Sequence, residues 1–315
     1  MKARSLFLVV TLLITAGGIA AAPTATRYPL VVKDDAGTAV TLRAAPRRII
    51  SLTLASDEML LSLVDGARMV GVTTYAADPG VSNVAARVAA SRPAGLMTLT
   101  LNVETIVSLK PDLVIVANWS DAGAVKLLRD AGLTVYLMAS GLTVASIEAT
   151  IARLGLMTDT QDRAASIITD MEKRLAATAR RVAAVAPAAR VRVMDYAPWG
   201  SAQGRGSSWD EIIRRAGLTD AVGDATADEW GQVPLSREGL LKIDPDMLIL
   251  PGWIDGDPQG STAFLKDITG SPGLQGLSAV RNGRVLVMPE TLKSTTSQYI
   301  ADAVEWLARA AYPTL

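Results

Sequence analysis

The sequence predicts an α/β protein of two lobes with parallel central sheets, joined by one long rigid α-helix and enclosing a ligand cleft between them. Three observations carry that expectation. One segment recurs in each half with the same order of key residues, and a stretch of helical periodicity lies between the halves. The 315 residues also exceed the size at which a single core stops growing, about 250–300 residues.

The repeat runs from Glu104 to Val116 and again from Glu238 to Leu250, with Glu104, Pro111 and Asp112 matched by Glu238, Pro245 and Asp246. Each copy reads as a short helix that opens near the Glu and stops before the Pro. A Pro-Asp pair then opens an apolar run of the kind found in strands buried on both faces. The match continues beyond the strand, where Trp119 follows Pro111 at the interval by which Trp253 follows Pro245. Duplicated α/β units are the simplest explanation.

Further strand and helix pairs are expected at 48–52 with 57–61, and at 191–196 with 209–213. Between the halves, Ala164, Ile168, Met171, Leu175, Ala179 and Val182 recur at steps of three and four. That spacing marks one amphipathic helix over 159–186, ended by Pro187. Roughly 25 residues at the helical rise span about 37 Å, enough to run along both lobes. The organisation is therefore a signal peptide at 1–21, an N-terminal lobe at 22–158, the interlobe helix at 159–186 and a C-terminal lobe at 187–315. The last helix has room to pack back across the lobes.

The first residues set Lys2 and Arg4 before an apolar run at 6–14 and small residues at 16–22. This is the pattern of a cleavable secretory signal, and the run is too short to span a bilayer. Cleavage is expected after Ala20 or Ala21, because a cut after Ala22 would leave Pro23 at the new terminus. A periplasmic location follows. With no cysteine in the chain, neither disulfide staples nor a thiol-linked lipid anchor are expected, so the protein is not read as a lipoprotein.

Composition excludes several classes. Thirty-one basic residues balance 31 acidic ones, which argues against nucleic acid or an anionic membrane surface as partner. Histidine and cysteine are both absent, which removes Ser-His and Cys-His catalysis and imidazole or thiolate zinc sites. No catalytic residue, bound metal or cofactor is expected, and the chain is not read as an enzyme.

The mature sequence resembles the periplasmic binding proteins for iron chelates and cobalamin, the substrate-binding proteins of ABC importers whose lobes are joined by a helical backbone. The resemblance rests on Arg47 through Leu52, Val70 through Tyr75, Leu109 through Val114, Leu235 through Glu238, Asn282 through Val285 and Ala303 through Ala308. It implies two Rossmann-like lobes, ABC permease and ATPase subunits as partners, and a transported ligand that is itself a metal chelate. A cobalamin-like corrinoid is favoured, a ferric siderophore is next and haem third. The protein is expected to act as a monomer. The competing classes are a chelatase-like enzyme on the same architecture, which would want His or Cys at its metal, and a scaffold protein, which would need no aromatic cleft.

In open parallel sheets ligands sit beyond the carboxyl ends of the strands, where Trp119 and Trp253 are expected to line opposite walls of one cleft. Tyr75 follows a strand and matches a tyrosine that the resembling cobalamin binders place against ligand. Tyr196, Trp199, Trp209 and Trp230 fall in or beside loops of the second half and join the candidates, since indole and phenol faces suit flat macrocycles. Arg205, in a Gly- and Ser-rich loop over the cleft, and Lys293, after a late strand, are the candidate cationic contacts. In the resembling family a glutamate from each lobe docks into arginine pockets of the permease, and Glu104 and Glu238 take that role here.

Overall fold

The computed structural model describes residues 25–92, 95–228, 231–254, 257, 259–293 and 295–314. The signal peptide expected at 1–21 and Trp230 lie outside the described residues. In the first half the chain forms β1 (Leu30–Lys33), β2 (Ala39–Leu42), β3 (Ile49–Leu52), α1 (Leu54–Leu63), β4 (Met69–Thr73) and α2 (Ala85–Ser91). It continues through β5 (Met97–Leu99), α3 (Val103–Ser108), β6 (Leu113–Ala117), α4 (Ala122–Asp130), β7 (Val135–Met138) and α5 (Val144–Thr158). Helix α6 (Gln161–Val182) leads to the second half. That half contains β8 (Arg192–Asp195), β9 (Ser201–Gln203), α7 (Ser208–Arg215), β10 (Thr219–Asp220), β11 (Gln232–Pro234) and α8 (Arg237–Ile243). It ends with β12 (Met247–Pro251), α9 (Gly260–Gly270), α10 (Ser278–Arg281), β13 (Val285–Met288), α11 (Glu290–Lys293) and α12 (Ile300–Ala311).

Two parallel sheets form the centres of the halves, in the orders β5-β4-β3-β6-β7 and β10-β8-β12-β13. The repeated segments supply β6 and β12, and each lies beside the strand that opens its sheet, β3 or β8. Strand order reverses at those two pairs. Such switch points open a crevice beyond the carboxyl ends of the strands.

The repeat has a local physical cause. Lys110 and Asp244 each take a left-handed conformation, φ 48° and 45°, which stops α3 and α8 ahead of the proline. The guanidinium of Arg48 then donates to the carbonyls of Leu109 and Lys110, and that of Arg192 to the carbonyls of Ile243 and Asp244. Asp112 accepts from the backbone N–H groups of Arg47 and Arg48 at 2.7 and 2.8 Å, and Asp246 accepts from that of Arg192 at 2.8 Å. The Pro-Asp pair therefore ends a helix and clamps the start of the neighbouring strand, twice. Glutamates 104 and 238 take no part in this clamp.

Helix α6 is shorter than the expected 159–186. Asp159 sits in the left-handed region, φ 57°, as the cap of α5, so α6 begins only at Gln161. At the other end it stops at Val182, ahead of a tight turn at Pro187–Ala189. Its 22 residues still span about 33 Å. Helix α12 packs back on it, with Arg174 of α6 held by Asp302 at 2.7 Å and Glu305 at 3.1 Å.

One hydrophobic core crosses the boundary between the halves. It joins Ile49, Leu113 and Ile115 of the first sheet through Ile151, Met171 and Leu175 to Trp209, Ile249 and Val304 of the second half. The other face of each sheet has its own core, around Ile106 and Val116 in one half and Leu240 and Leu250 in the other.

Asp57 in α1 is fully buried and accepts from the Thr73 N–H at 3.1 Å and the Thr73 hydroxyl at 2.6 Å, while its Oδ1 receives no hydrogen bond from the described residues. Burial raises its pKa to about 8, with the Ser51 and Thr73 donors pulling the other way. The folded protein thus keeps a proton that the unfolded chain releases near the ordinary carboxyl pKa of about 4. Stability from this group is complete below about pH 4 and is lost as pH rises towards 8. Asp57→Asn is therefore expected to flatten the fall of melting temperature between pH 5 and pH 8. Equal slopes for the two proteins in thermal unfolding would contradict the assignment.

Candidate functional site

The carboxyl ends of both sheets open into one cleft between the halves. It holds two connected recesses, each of about 380 Å³, that share Leu54, Ala55, Tyr75 and Thr296. The first lies between the halves, with Leu54, Glu58 and Tyr75 on one side and Trp199, Pro251, Trp253 and Lys293 on the other. The second follows the strand ends of the first sheet through Leu52, Thr73, Leu99, Ala117 and Met138, with Trp119 at its edge. Its polar lining consists of hydroxyls such as Thr53, Thr74, Thr100 and Ser140, with no charged side chain among the lining residues.

Short-range structure sets the aromatic groups in place. The Asp57-bound Thr73 hydroxyl accepts from the Ala76 N–H at 3.1 Å, pinning the turn that presents Tyr75, which is 53% exposed. Trp119 stands on a turn closed by Ser120 N–H to the Ala117 carbonyl and is 73% exposed. Trp199 is 70% exposed at the tip of a tight turn bridged between Ala197 and Ser201, where Gly200 supplies a φ of 78° that a side chain would strain. Three large rings therefore face solvent around an apolar cavity, which burial economics disfavours unless something covers them.

Trp253 is placed differently. Its indole packs against Gly80 of the opposite half so closely that a Cβ there would collide with the ring. It lines the first recess and Trp119 the second, so the two indoles of the repeat stand in different recesses of the one cleft.

Polar groups join the halves beneath the first recess. Glu58, 2% exposed, accepts from the backbone and side-chain N–H of Asn83 at 2.9 Å each and from the Ser297 hydroxyl. Asn83 also donates to the Thr291 carbonyl at 2.7 Å, and Gln298 donates to the Glu58 carbonyl at 2.9 Å. Burial pushes the Glu58 carboxyl up, and the Ser297 and Asn83 hydrogen bonds pull it partway back. Lys293, also buried, pairs with Asp195 at 3.0 Å. Burial works against its ammonium, but the Asp195 and Glu290 carboxylates outweigh that cost and the net shift is upward.

Several expected contacts are corrected by the structure. Tyr196 is 4% exposed, stacks on Phe264 with ring centroids 6.1 Å apart and donates to the Leu235 carbonyl, so it belongs to the core of the second half. Trp209 is 2% exposed under α7 and reaches the site only through Lys293, whose Nζ is 6.0 Å from its ring centroid. Arg205 is exposed and pairs with Asp224 at 2.7 Å, away from both recesses. The Gly- and Ser-rich segment around Arg205, expected as a loop over the cleft, is partly the β9 strand, paired with β11. Glu104 and Glu238 are both exposed, each two residues after a helix cap, Asn102 or Ser236. The Glu238 carboxyl is lowered by its own backbone N–H and by the Ser236 hydroxyl.

Sequence reading missed Glu58, Asn83, Asp195 and Thr296. Asp195 was within reach, since a carboxylate following Val193 and Met194 at the buried carboxyl end of a parallel strand is unusual without a functional partner.

A family model described as periplasmic binding protein matches residues 49–292. The chain belongs to that family. This extracytoplasmic family includes substrate-binding proteins that carry small ligands to the permease and ATPase subunits of ABC transporters. Among curated relatives, the chain is similar to the uncharacterized ABC transporter substrate-binding lipoprotein YvrC of Bacillus subtilis. The two are 24% identical over 290 residues, covering 91% of this chain and 86% of the relative. It is also similar to the cobalamin-binding protein of Halobacterium salinarum, 28% identical over 284 residues, covering 87% of this chain and 72% of the relative. Among solved structures, the ABC-type Fe3+-hydroxamate transport system protein of Saccharomonospora viridis shares the fold. Its TM-score is 0.70 at 24% identity, over 90% of this chain and 99% of that one.

The polar junction makes a measurable demand. Asn83→Ala removes a donor to a buried carboxylate and a hydrogen bond between the halves, and is expected to cost about 1–3 kcal/mol in urea unfolding. An unchanged midpoint and slope would show that the junction contributes nothing to stability.

Proposed function

We propose that this chain captures a neutral or cationic metal-containing macrocycle in the cleft and delivers it to an ABC importer. A cobalamin-like corrinoid is the first choice and a ferric siderophore without net negative charge the second; haem, the third expectation from the sequence, carries carboxylates that set it outside this reading. The observation that carries the choice is the charge of the cleft. Exposed Tyr75, Trp119 and Trp199 offer ring faces, while the only Lys or Arg among the described lining residues, Lys293, is already paired. Dispersion and stacking on such rings suit a large uncharged face. The carboxylates of haem or of an acidic siderophore would find no unpaired cation among those lining residues. A neutral hydroxamate chelate meets no such objection, which keeps siderophores second. The similarity to a cobalamin-binding protein supports the same order.

Export through the N-terminal signal, action as a monomer in the periplasm and binding without catalysis belong to the same proposal. A thioether-linked lipid needs a cysteine, which the sequence lacks.

Glu104 and Glu238 are proposed to dock the permease. Helices α3 and α8 each run into a parallel strand, so their first turns lie at the cleft end of the two halves. Leu101, three residues before Glu104, lines the second recess. The repeated Pro-Asp clamp accounts for its own residues and leaves these two exposed carboxylates outside it. Carboxylate to guanidinium bonding is charge-assisted and fixes orientation as well as attraction.

Two outcomes test the proposal. Cyanocobalamin is expected to quench the tryptophan fluorescence of the purified protein, and replacing both Trp119 and Trp199 by Ala should weaken binding at least ten-fold, about 1.4 kcal/mol. Wild-type affinity in that double variant would remove the rings from the site. Reversing both Glu104 and Glu238 to Lys should leave ligand affinity intact and abolish uptake in vesicles reconstituted with the cognate transporter. Normal uptake would reduce the pair to helix-start acids, and lost ligand binding would move them into the site.

A further inference from the structure

The buried ion pair at the base of the first recess is more than a packing feature. Lys293 ends α11 and Asp195 ends β8; they meet at 3.0 Å with side chains 7% and 2% exposed. Lys293 lines the recess, whereas Asp195 stands behind it. The Asp195 carboxylate also accepts from the Gln203 N–H at 2.8 Å, which fixes its orientation towards the ammonium. The Trp209 ring is also close to the ammonium, and Glu290, one turn earlier in α11, adds a second negative field.

Stability gives no reason for such a pair, because a buried Lys–Asp pair is commonly no better than apolar residues of the same volume. Its effect on the recess is specific. Among the described residues, the charged groups lining the first recess are Glu58, Glu290 and Lys293, and Lys293 is neutralised from behind. An anionic ligand entering there meets carboxylates, and it reaches the ammonium only by displacing Asp195, whose own charge would then be buried without a partner.

We propose that Asp195 is a specificity-determining residue that closes the recess to anionic chelates by holding Lys293, and leaves it open to neutral or cationic ones. This rests on the reading of the cleft as the chelate site. It predicts that selectivity by charge is separable from the ring contacts, because Asp195 does not line the cavity.

The test compares two ferric probes, a triply anionic tris-catecholate and a neutral trihydroxamate, by quenching of tryptophan fluorescence. Asp195→Asn should raise the affinity ratio of the anionic over the neutral probe at least about ten-fold. Adding Glu290→Gln should raise it further, and adding Lys293→Met to both should lower it again, because the released ammonium is gone. The gain should shrink as salt is increased, since the released charge is partly screened. Should Asp195→Asn fail to fold, Gln203→Lys places an unpaired cation in the same recess with the ion pair intact, and the ratio should again rise. An unchanged ratio in the Asp195→Asn, Glu290→Gln double variant, or in Gln203→Lys, overturns the proposal. If the wild-type protein ignores cyanocobalamin while Asp195→Asn gains the tris-catecholate, the corrinoid reading falls and the role of Asp195 stands.

Discussion

The two sheets are tied to a single hydrophobic core, and the geometry of the cleft depends on that sharing. Helices α5, α6, α7 and α12 bury one face of each sheet together, so side chains from Ile49 to Val304 belong to one cluster. Separating the halves would expose that interior, at about 25 cal/mol for each Å² of apolar surface. Helix α6 adds a second constraint, since no Pro or Gly interrupts Gln161–Val182 and bending would break its internal hydrogen bonds. The Glu58, Asn83 and Ser297 junction adds a third on the cleft side. A cleft held on both sides is formed before ligand arrives, which lowers the ordering cost of binding.

On this frame the chemistry of the cleft follows from the direction of the strands. Parallel strands end together, so loops from five strands of one sheet and three of the other converge without any long insertion. The first sheet delivers hydroxyls and two rings, Tyr75 and Trp119, and the second delivers rings and a neutralised ammonium. The Glu58 carboxylate is committed to donors from both halves, and Lys293 is committed to Asp195. Such a surface is suited to holding a large ligand by area and shape.

Much of this was legible in the residues. The recurring Pro and Asp marked the two sheets because the clamp needs those residue types at that spacing, and the periodicity of α6 marked the element between them. The side to which each residue points was less legible. In a strand buried on both faces there is no polar alternation to show which side is the core, and Asp195 and Tyr196 point to different environments although they are adjacent. Trp209, expected beside a loop at the start of a helix and facing ligand, falls on the buried face of α7. Partnerships distant in sequence, Lys293 with Asp195 and Glu58 with Ser297, carry no local signal at all. They decide the charge of the cleft, and only the folded arrangement brings them together.

The central claim is that the cleft holds a large chelate without net negative charge. Native mass spectrometry of the protein purified from the cell envelope of its own source tests it most directly. The account predicts a co-purifying mass, released on denaturation, that belongs to a neutral or cationic metal macrocycle. A retained anionic catecholate or haem would contradict it.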